Sequence, residues 1–448
     1  MSIGSQLRSI LRVDPYRYQV RGVRFVERNL GRVLIGDDMG LGKTLQAAGW
    51  FAVHPEIRPV VVVCPASLKL NWQRELRKLF GLDSVVLNGR RPKHVSSPFL
   101  IVNYDILNSW LGVLLETKPA GLVIDECHKA KNRKAKRTKA CRRLAKASQH
   151  VIALSGTPVL NKPSELYPVL EMIRPREFKS FWRFAFRYCD PKKGFGGHWD
   201  FSGSSNLEEL QDRLQGIMIR RTKREVLPHL PPKRRITIPV EIDNQAEYTK
   251  AQDDIVNWIR EQGGEKAVKK AKGAIALVRL GKLKHLAAVG KLRMAARLIN
   301  DWIDATEDKL LIFGIHTDVL DHVYSVFRKI SVKVDGSVRT DQRMRLVDRF
   351  QTDPDCRIFL GQLQAAGHGL NLTAASTILF LEIGWVPADH DQAEDRSLRI
   401  GQTADSVDCY YLVGSNTIEE RIMEIQEKKR EVCDQILGPS QSYLDLLR

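Results

Sequence analysis

No apolar run in this chain approaches the ~20 residues that a membrane-spanning helix needs, and Met1 to Leu11 is too polar for a secretory signal. The expectation is a soluble, intracellular protein. Cysteine pairing is missing as well. The seven cysteines (Cys64, Cys127, Cys141, Cys189, Cys356, Cys409 and Cys433) are odd in number and contain no CxxC pair. That pattern indicates neither a zinc site nor a disulfide framework and leaves them as reduced packing residues. Acid is scarce relative to base. With 71 lysines and arginines against 52 acids, and a formal charge of +19, a polyanion is the natural partner, nucleic acid ahead of a membrane surface.

What is present is enough for several cores. At 448 residues and 43% hydrophobic content, two or three globular domains are expected. The stretch that organises them is Asp37-Asp38-Met39-Gly40-Leu41-Gly42-Lys43-Thr44, set between the apolar Val33-Leu34-Ile35 and the helix-prone Leu45-Gln46-Ala47-Ala48. Strand, glycine loop, helix is the order of a phosphate cradle: glycines let backbone N–H groups face phosphate oxygens, and the helix N-terminus adds partial positive charge. Lys43 would reach the terminal phosphates and Thr44 would hold Mg²⁺. The strict GxxxxGK[ST] spacing puts its first glycine at position 37, where this chain has aspartate, and Gly36 comes one residue too early. Taken alone, the loop is either a nucleotide site or a glycine-rich turn, and partners elsewhere decide. Upstream, the amide of Gln19 can read adenine, having both a donor and an acceptor, or can be an ordinary surface polar group.

Val60 to Val63 reads as a buried parallel strand stopped by Cys64-Pro65, Ser67 to Phe80 as a helix, and Phe99 to Val102 as a further strand. The second decisive element is Leu122-Val123-Ile124-Asp125-Glu126-Cys127-His128. At a strand end, Asp125 is placed to hold Mg²⁺ and Glu126 to orient or deprotonate an attacking water. Adjacent acids also occur as helix caps, but a GKT loop followed by a strand running into DExH favours a nucleotide hydrolase. Lys129 to Lys146 then carries ten basic residues and no acid, on an expected helix that is either a solvated face or a contact for something anionic. Another strand, Val151 to Leu154, leads into Ser155-Gly156-Thr157-Pro158, whose hydroxyls can sense a γ-phosphate.

Residues 160–225 read as a helical, aromatic insertion with an irregular loop at Gly194 to Ser205. A proline-stiffened linker is expected over 226–240 and a basic helical insertion over 241–304, with Lys266, Lys269, Lys270, Lys272, Arg279, Lys282, Lys284 and Lys291 serving phosphate contact or solubility. Strand and helix alternation returns over 305–416 as a second parallel-sheet unit with no GKT loop of its own. It carries Gly367 to Leu372 and Gln392 to Gln402, within which Arg396 and Arg399 would share one helical face and point at one place. They either pair with surface acids, as two arginines on one face usually do, or complement a nucleotide site that lacks an arginine finger. A charged helical segment closes the chain at 417–448.

The ordered set resembles the Swi/Snf-type branch of superfamily two helicases, the double-stranded DNA translocases. The likeness rests on Asp37 to Thr44, aspartate included, Val63-Cys64-Pro65 with Asn71-Trp72, and Asp125 to His128 with Lys131-Asn132. It continues through Leu154 to Pro158, Glu165-Leu166-Tyr167, Ala366 to Leu372 and Gln392 to Gln402. Within the branch, Leu311-Ile312-Phe313 through Val319-Leu320-Asp321 is most similar to HARP-like annealing helicases. The resemblance implies an α/β fold of two tandem RecA-like lobes, lobe 1 over 1–225 and lobe 2 over 305–416. Lobe closure around ATP and Mg²⁺ would step the motor along duplex DNA. It implies that Gln19 reads adenine, that Asp38, Met39, Gly40, Leu41, Gly42, Lys43 and Thr44 hold phosphates and metal, that Asp125 and Glu126 serve metal and water, and that Arg396 and Arg399 approach the γ-phosphate. Leu398 departs from the family's usual histidine, and Gly384-Trp385 from its double tryptophan, which bears on coupling rather than hydrolysis. A monomer making non-specific backbone contacts is expected, with accessory proteins open and the setting bacterial or viral, since no histone reader, nuclease or HARP repeat fits the remaining length. The competing readings are a helicase that separates strands of DNA or RNA, for which no wedge element is evident, and a DNA-binding scaffold with a relic nucleotide site.

Overall fold

The computed structural model describes residues 2–158, 162–193, 199–261, 273–363, 370–399 and 401–437. The chain divides into two compact units, Met1–Pro228 with Lys429–Arg448, and His229–Lys428.

The first unit is built on β1 (Arg32–Ile35), β2 (Val60–Cys64), β3 (Val85–Val86), β4 (Phe99–Asn103), β5 (Gly121–Asp125) and β6 (His150–Leu154). A small hairpin, β7 (Lys192–Lys193) and β8 (Trp199–Asp200), stands apart from the main sheet, and β9 (Met218–Ile219) returns to it. The sheet runs β3-β4-β2-β5-β6-β1-β9 with every pair parallel. A parallel strand flanked on both faces must be apolar at successive positions. The valine run of β2 meets this, being buried throughout and paired with β4 on one side and β5 on the other. Each such buried side chain contributes ~1.5–3 kcal/mol, so burial fixes where the strands end and therefore where their polar tips emerge. The aromatic insertion supplies core: Phe178, Phe184 and Tyr188 join Leu210 and Leu214 in the apolar cluster under the sheet. The basic stretch after Asp125 is helical only over Lys136–Ala147, preceded by a short 3₁₀ turn at Cys127–Ala130.

The second unit carries β10 (Lys233–Val240), β11 (Lys309–Gly314), β12 (Ser331–Val334), β13 (Ile358–Gln362), β14 (Ala375–Phe380) and β15 (Val407–Gly414). Their order is β10-β15-β14-β11-β13-β12, again all parallel. The linker expected over 226–240 is corrected by β10. Ile236, Ile238 and Val240 alternate as a strand should, and Pro239 is tolerated because β10 lies at the edge. Helices at Gln245–Glu261, Gly273–Gly290 and Leu292–Ala305 precede β11.

Two of the lysines expected to be solvated or to meet phosphate are buried instead. Lys291 donates to Glu419 and to the Leu412 carbonyl, both at 2.6 Å, and Lys284 lies 5.7 Å from the Trp385 ring centroid. Lys266, Lys269, Lys270 and Lys272 fall outside the described residues, as do 194–198, Ala366 to Gly369 and Ile400. The helix Ile418–Leu437 is shared: residues through Lys428 belong to the second unit and those from Lys429 to the first, where Ile436 enters the core. Among the described residues no helix is long and apolar enough to cross a membrane. No disulfide forms among the described residues, and every cysteine but Cys433 is buried.

Candidate active site

Strands β5, β6 and β1 are neighbours, so their carboxyl ends bring Asp125-Glu126, Ser155-Gly156-Thr157 and the glycine loop together, at the edge where α/β sheets bind ligands. The loop turns on Gly40 and Gly42, with φ of 83° and 73°, a region glycine enters without strain. A Cβ at Gly42 would lie 2.4 Å from Gln19 Nε2, so a larger residue there would also displace that amide. The helix Lys43–Val53 starts immediately after it, with Thr44 half-buried in its first turn. Lys43 Nζ donates to the carbonyls of Asp37 at 2.7 Å and Asp38 at 3.0 Å, folding over the loop. Met39 and Lys43 both face Gly156, where a Cβ would meet Met39 Cγ at 2.7 Å and Lys43 Nζ at 3.5 Å.

The aspartate that breaks the general loop spacing has a structural explanation. Asp37 is fully buried, and its carboxylate accepts from Arg221 through Nε at 3.0 Å and through Nη2, and from Gln46 Nε2 at 2.9 Å. Arg221 also donates to Gln46 Oε1 at 2.7 Å and to the Tyr18 carbonyl. Asp38 completes the attachment: its carboxylate accepts from Lys223 N and its own N–H donates to the Arg221 carbonyl, both at 2.9 Å. Reading the sequence misses Arg221. The available signal was a buried-pattern acid between an apolar strand and a glycine turn, which demands a nearby cation.

Gln19 spends its amide on the protein. Oε1 accepts from Tyr16 N at 3.0 Å, capping the helix Arg17–Arg28, and Nε2 donates to the Leu41 carbonyl at 3.4 Å. The carboxylate of Asp125 accepts from Trp72 Nε1 at 2.8 Å and from Glu126 N at 2.9 Å. Burial first, and the charge of Glu126 second, push its pKa up to about 7 despite the Trp72 hydrogen bond and Lys43. Glu126 holds φ of 50°, left-handed for a side-chain-bearing residue, a backbone cost that tends to collect at functional positions. Tyr104 OH donates to the Asp125 carbonyl at 2.7 Å and helps fix this turn. Beyond it, His128 Nδ1 lies 3.4 Å from Glu126 Oε2 and 3.0 Å from Ser155 Oγ, which also accepts from Thr157 N at 3.1 Å. Burial, then Lys129, Lys131 and Lys43, lower the His128 pKa to about 3, so the imidazole is neutral and ties the acidic turn to the hydroxyl turn.

The first unit thus gathers Gln19, Asp38 to Thr44, Asp125 and Glu126, whereas Arg396 and Arg399 belong to the second. Their expected shared helical face is corrected: the helix Pro387–Glu394 ends before either. Glu394 is drawn inward by Lys233 Nζ and Arg235 Nε, each at 2.7 Å, and by Tyr411 OH at 2.6 Å. Past that anchor, Arg396 Nε donates to the Gln392 carbonyl at 3.0 Å and Arg399 Nε to that of Asp395 at 2.9 Å. Arg396 is buried, also reaching the Leu370 carbonyl at 3.4 Å. Leu398 packs in the apolar core, and Gly384 N donates to His390 Nε2 at 2.9 Å.

Thr44 and Asp125 offer hard oxygen donors of the kind Mg²⁺ takes, few in number because substrate phosphates and water complete its shell. A family described as the SNF2-related domain matches residues 18–284, and the helicase conserved C-terminal domain matches residues 290–401. The chain is 36% identical over 440 residues to the SWI/SNF-related matrix-associated actin-dependent regulator of chromatin subfamily A-like protein 1 of Xenopus tropicalis, covering 96% of this chain and 46% of that one. It is 34% identical over 451 residues to the DNA annealing helicase and endonuclease ZRANB3 of Mus musculus, covering 96% and 41%. The Sulfolobus solfataricus SWI2/SNF2 ATPase core in complex with dsDNA aligns over 98% of this chain and 96% of that one, at 26% identity and a TM-score of 0.46. This chain spans less than half the length of those two animal relatives. Because the first family match covers more than half of its residues, the chain belongs to the SNF2-related domain family.

Proposed function

We propose that this chain is an ATP-fuelled motor that moves along double-stranded DNA and restores base pairing. The observation that carries the reading is the meeting of Lys43, the Asp125-Glu126 pair and the His128–Ser155 link at the tips of adjacent strands. Gln19 takes adenine, exchanging its hold on Leu41 for the base. Lys43 leaves its two carbonyls for the terminal phosphates, toward which the N–H groups of Met39, Gly40 and Gly42 also turn. Mg²⁺, held by Thr44 and Asp125, would supply charge neutralisation at the phosphates. Glu126 orients and deprotonates the water, and the neutral His128 passes the state of the acidic turn to Ser155 and Thr157. Arg396 and Arg399 serve the γ-phosphate. DNA is held by non-specific backbone contacts in keeping with the +19 charge, the motor acting as a monomer. Reannealing follows the naming of one relative as an annealing helicase.

The test measures ATP turnover with and without duplex, alongside displacement and annealing of labelled strands. Turnover that rises with duplex, falls about 10²–10⁴-fold in Glu126→Gln and at least as far in Lys43→Ala, together with faster annealing, is the expected result. Turnover indifferent to nucleic acid overturns the motor, and net strand displacement from tailed duplexes replaces it with a strand-separating helicase. Binding should weaken with salt at a slope of about −0.9 per phosphate contact.

A further inference from the structure

The helix Phe181–Tyr188 has two unlike faces. Phe184, Ala185 and Tyr188 are buried in the first unit's core, whereas Trp182 and Phe186, one turn apart, are 47% and 54% exposed. These rings are not scattered. Trp182 lies 6.1 Å from Phe186, 6.1 Å from Trp199 on β8 and 5.5 Å from Phe201, and Phe186 lies 5.1 Å from Trp199. A contiguous aromatic patch whose two outermost rings face water marks a binding surface.

Its charge identifies the occupant. Lys193 Nζ sits 5.5 Å from the Trp199 ring centroid and the Arg133 guanidinium 4.0 Å from that of Phe181, while Arg183, Lys192 and Lys193 are exposed around the rings. The acids at the rim are Asp190, which pairs with Lys192 at 3.1 Å, and Asp200, while Glu209 engages Arg187. Ring faces interleaved with cations match bases strung on phosphates. Paired bases inside a duplex cover one another's faces, so only unpaired ones can stack on side chains.

We propose that Trp182, Phe186 and Trp199, with Arg183 and Lys193, form a platform that binds single-stranded DNA by stacking its unpaired bases. The choice of DNA over RNA rests on the duplex track proposed above, but strand binding itself needs no ATP. A motor that restores pairing would use such a platform to hold one strand ready.

The experiment measures binding of labelled oligothymidylate to the full chain without nucleotide, so that a failed motor reading leaves it intact. Combining Trp182→Ala with Phe186→Ala should weaken binding about tenfold or more, and Trp182→Tyr should retain most of it. An abasic oligomer of equal length, and a blunt duplex, should bind wild type and variant alike. Unchanged affinity for oligothymidylate in the double variant overturns the proposal, as does a parallel loss of abasic and duplex binding.

Discussion

Replacing Arg221 by methionine should destabilise the first unit by about 3–5 kcal/mol, the usual cost of stranding one member of a buried ion pair. The figure follows from the surroundings of Asp37. Its side chain is fully buried and Arg221 is 3% exposed, so water cannot replace what the guanidinium gives. Arg221 supplies both the Nε contact at 3.0 Å and the Nη2 contact, leaving Gln46, at 2.9 Å, as the remaining side-chain donor to the carboxylate among the described residues. At ~2–4 °C per kcal/mol for a unit of this size, the thermal midpoint should drop by roughly 6–20 °C, read from hydrogen exchange over residues 34–46 during a temperature series. Arg221→Lys should recover little, because an ammonium cannot make the two-pronged contact. Removing both charges, with Asp37→Leu added to Arg221→Met, should cost less than Arg221→Met alone, since no unpaired charge is then left in the interior. A loss below about 1 kcal/mol in the single variant, or a double variant that is worse than the sum of the two singles, would refute the account of Asp37 as a buried anchor.

Two further outcomes test the site. Because burial raises the Asp125 pKa to about 7, above the usual ~3.9, the folded chain favours the protonated carboxyl. That contribution is complete below about pH 4 and is lost as pH rises through 7, at about 1.4 kcal/mol per unit. Wild type should therefore lose stability relative to Asp125→Asn between pH 5 and 8 in denaturant titrations without nucleotide, and parallel curves would contradict the shift. Gln19→Ala should erase the preference for ATP over GTP, seen as converging KM values. If Gln19 only caps its helix, the preference will survive and about 1 kcal/mol of stability will go.

Local pattern and spacing sufficed to read the strands Val60 to Val63 and Leu122 to Asp125, the glycine loop and the acidic pair, because buried parallel strands announce themselves as apolar runs and phosphate loops need glycine where φ turns positive. They also separated one sheet unit from the next. Pairing across the chain was not legible. Nothing near Asp37 names Arg221, because the two meet only when the edge strand β9 lies beside β1. Nothing in residues 226–240 says that Lys233–Val240 will find an edge at β15. The helix ends at Glu394, whose carboxylate meets cations supplied by Lys233 and Arg235 on that same distant strand. The sequence by itself therefore determined where the strands, the glycine loop and the acidic pair fall, since residue type and local spacing are local properties. Tertiary structure decided which charges are buried, which side chains hold the loop and which rings face water, because burial and ion pairing belong to segments that meet only after the sheets assemble.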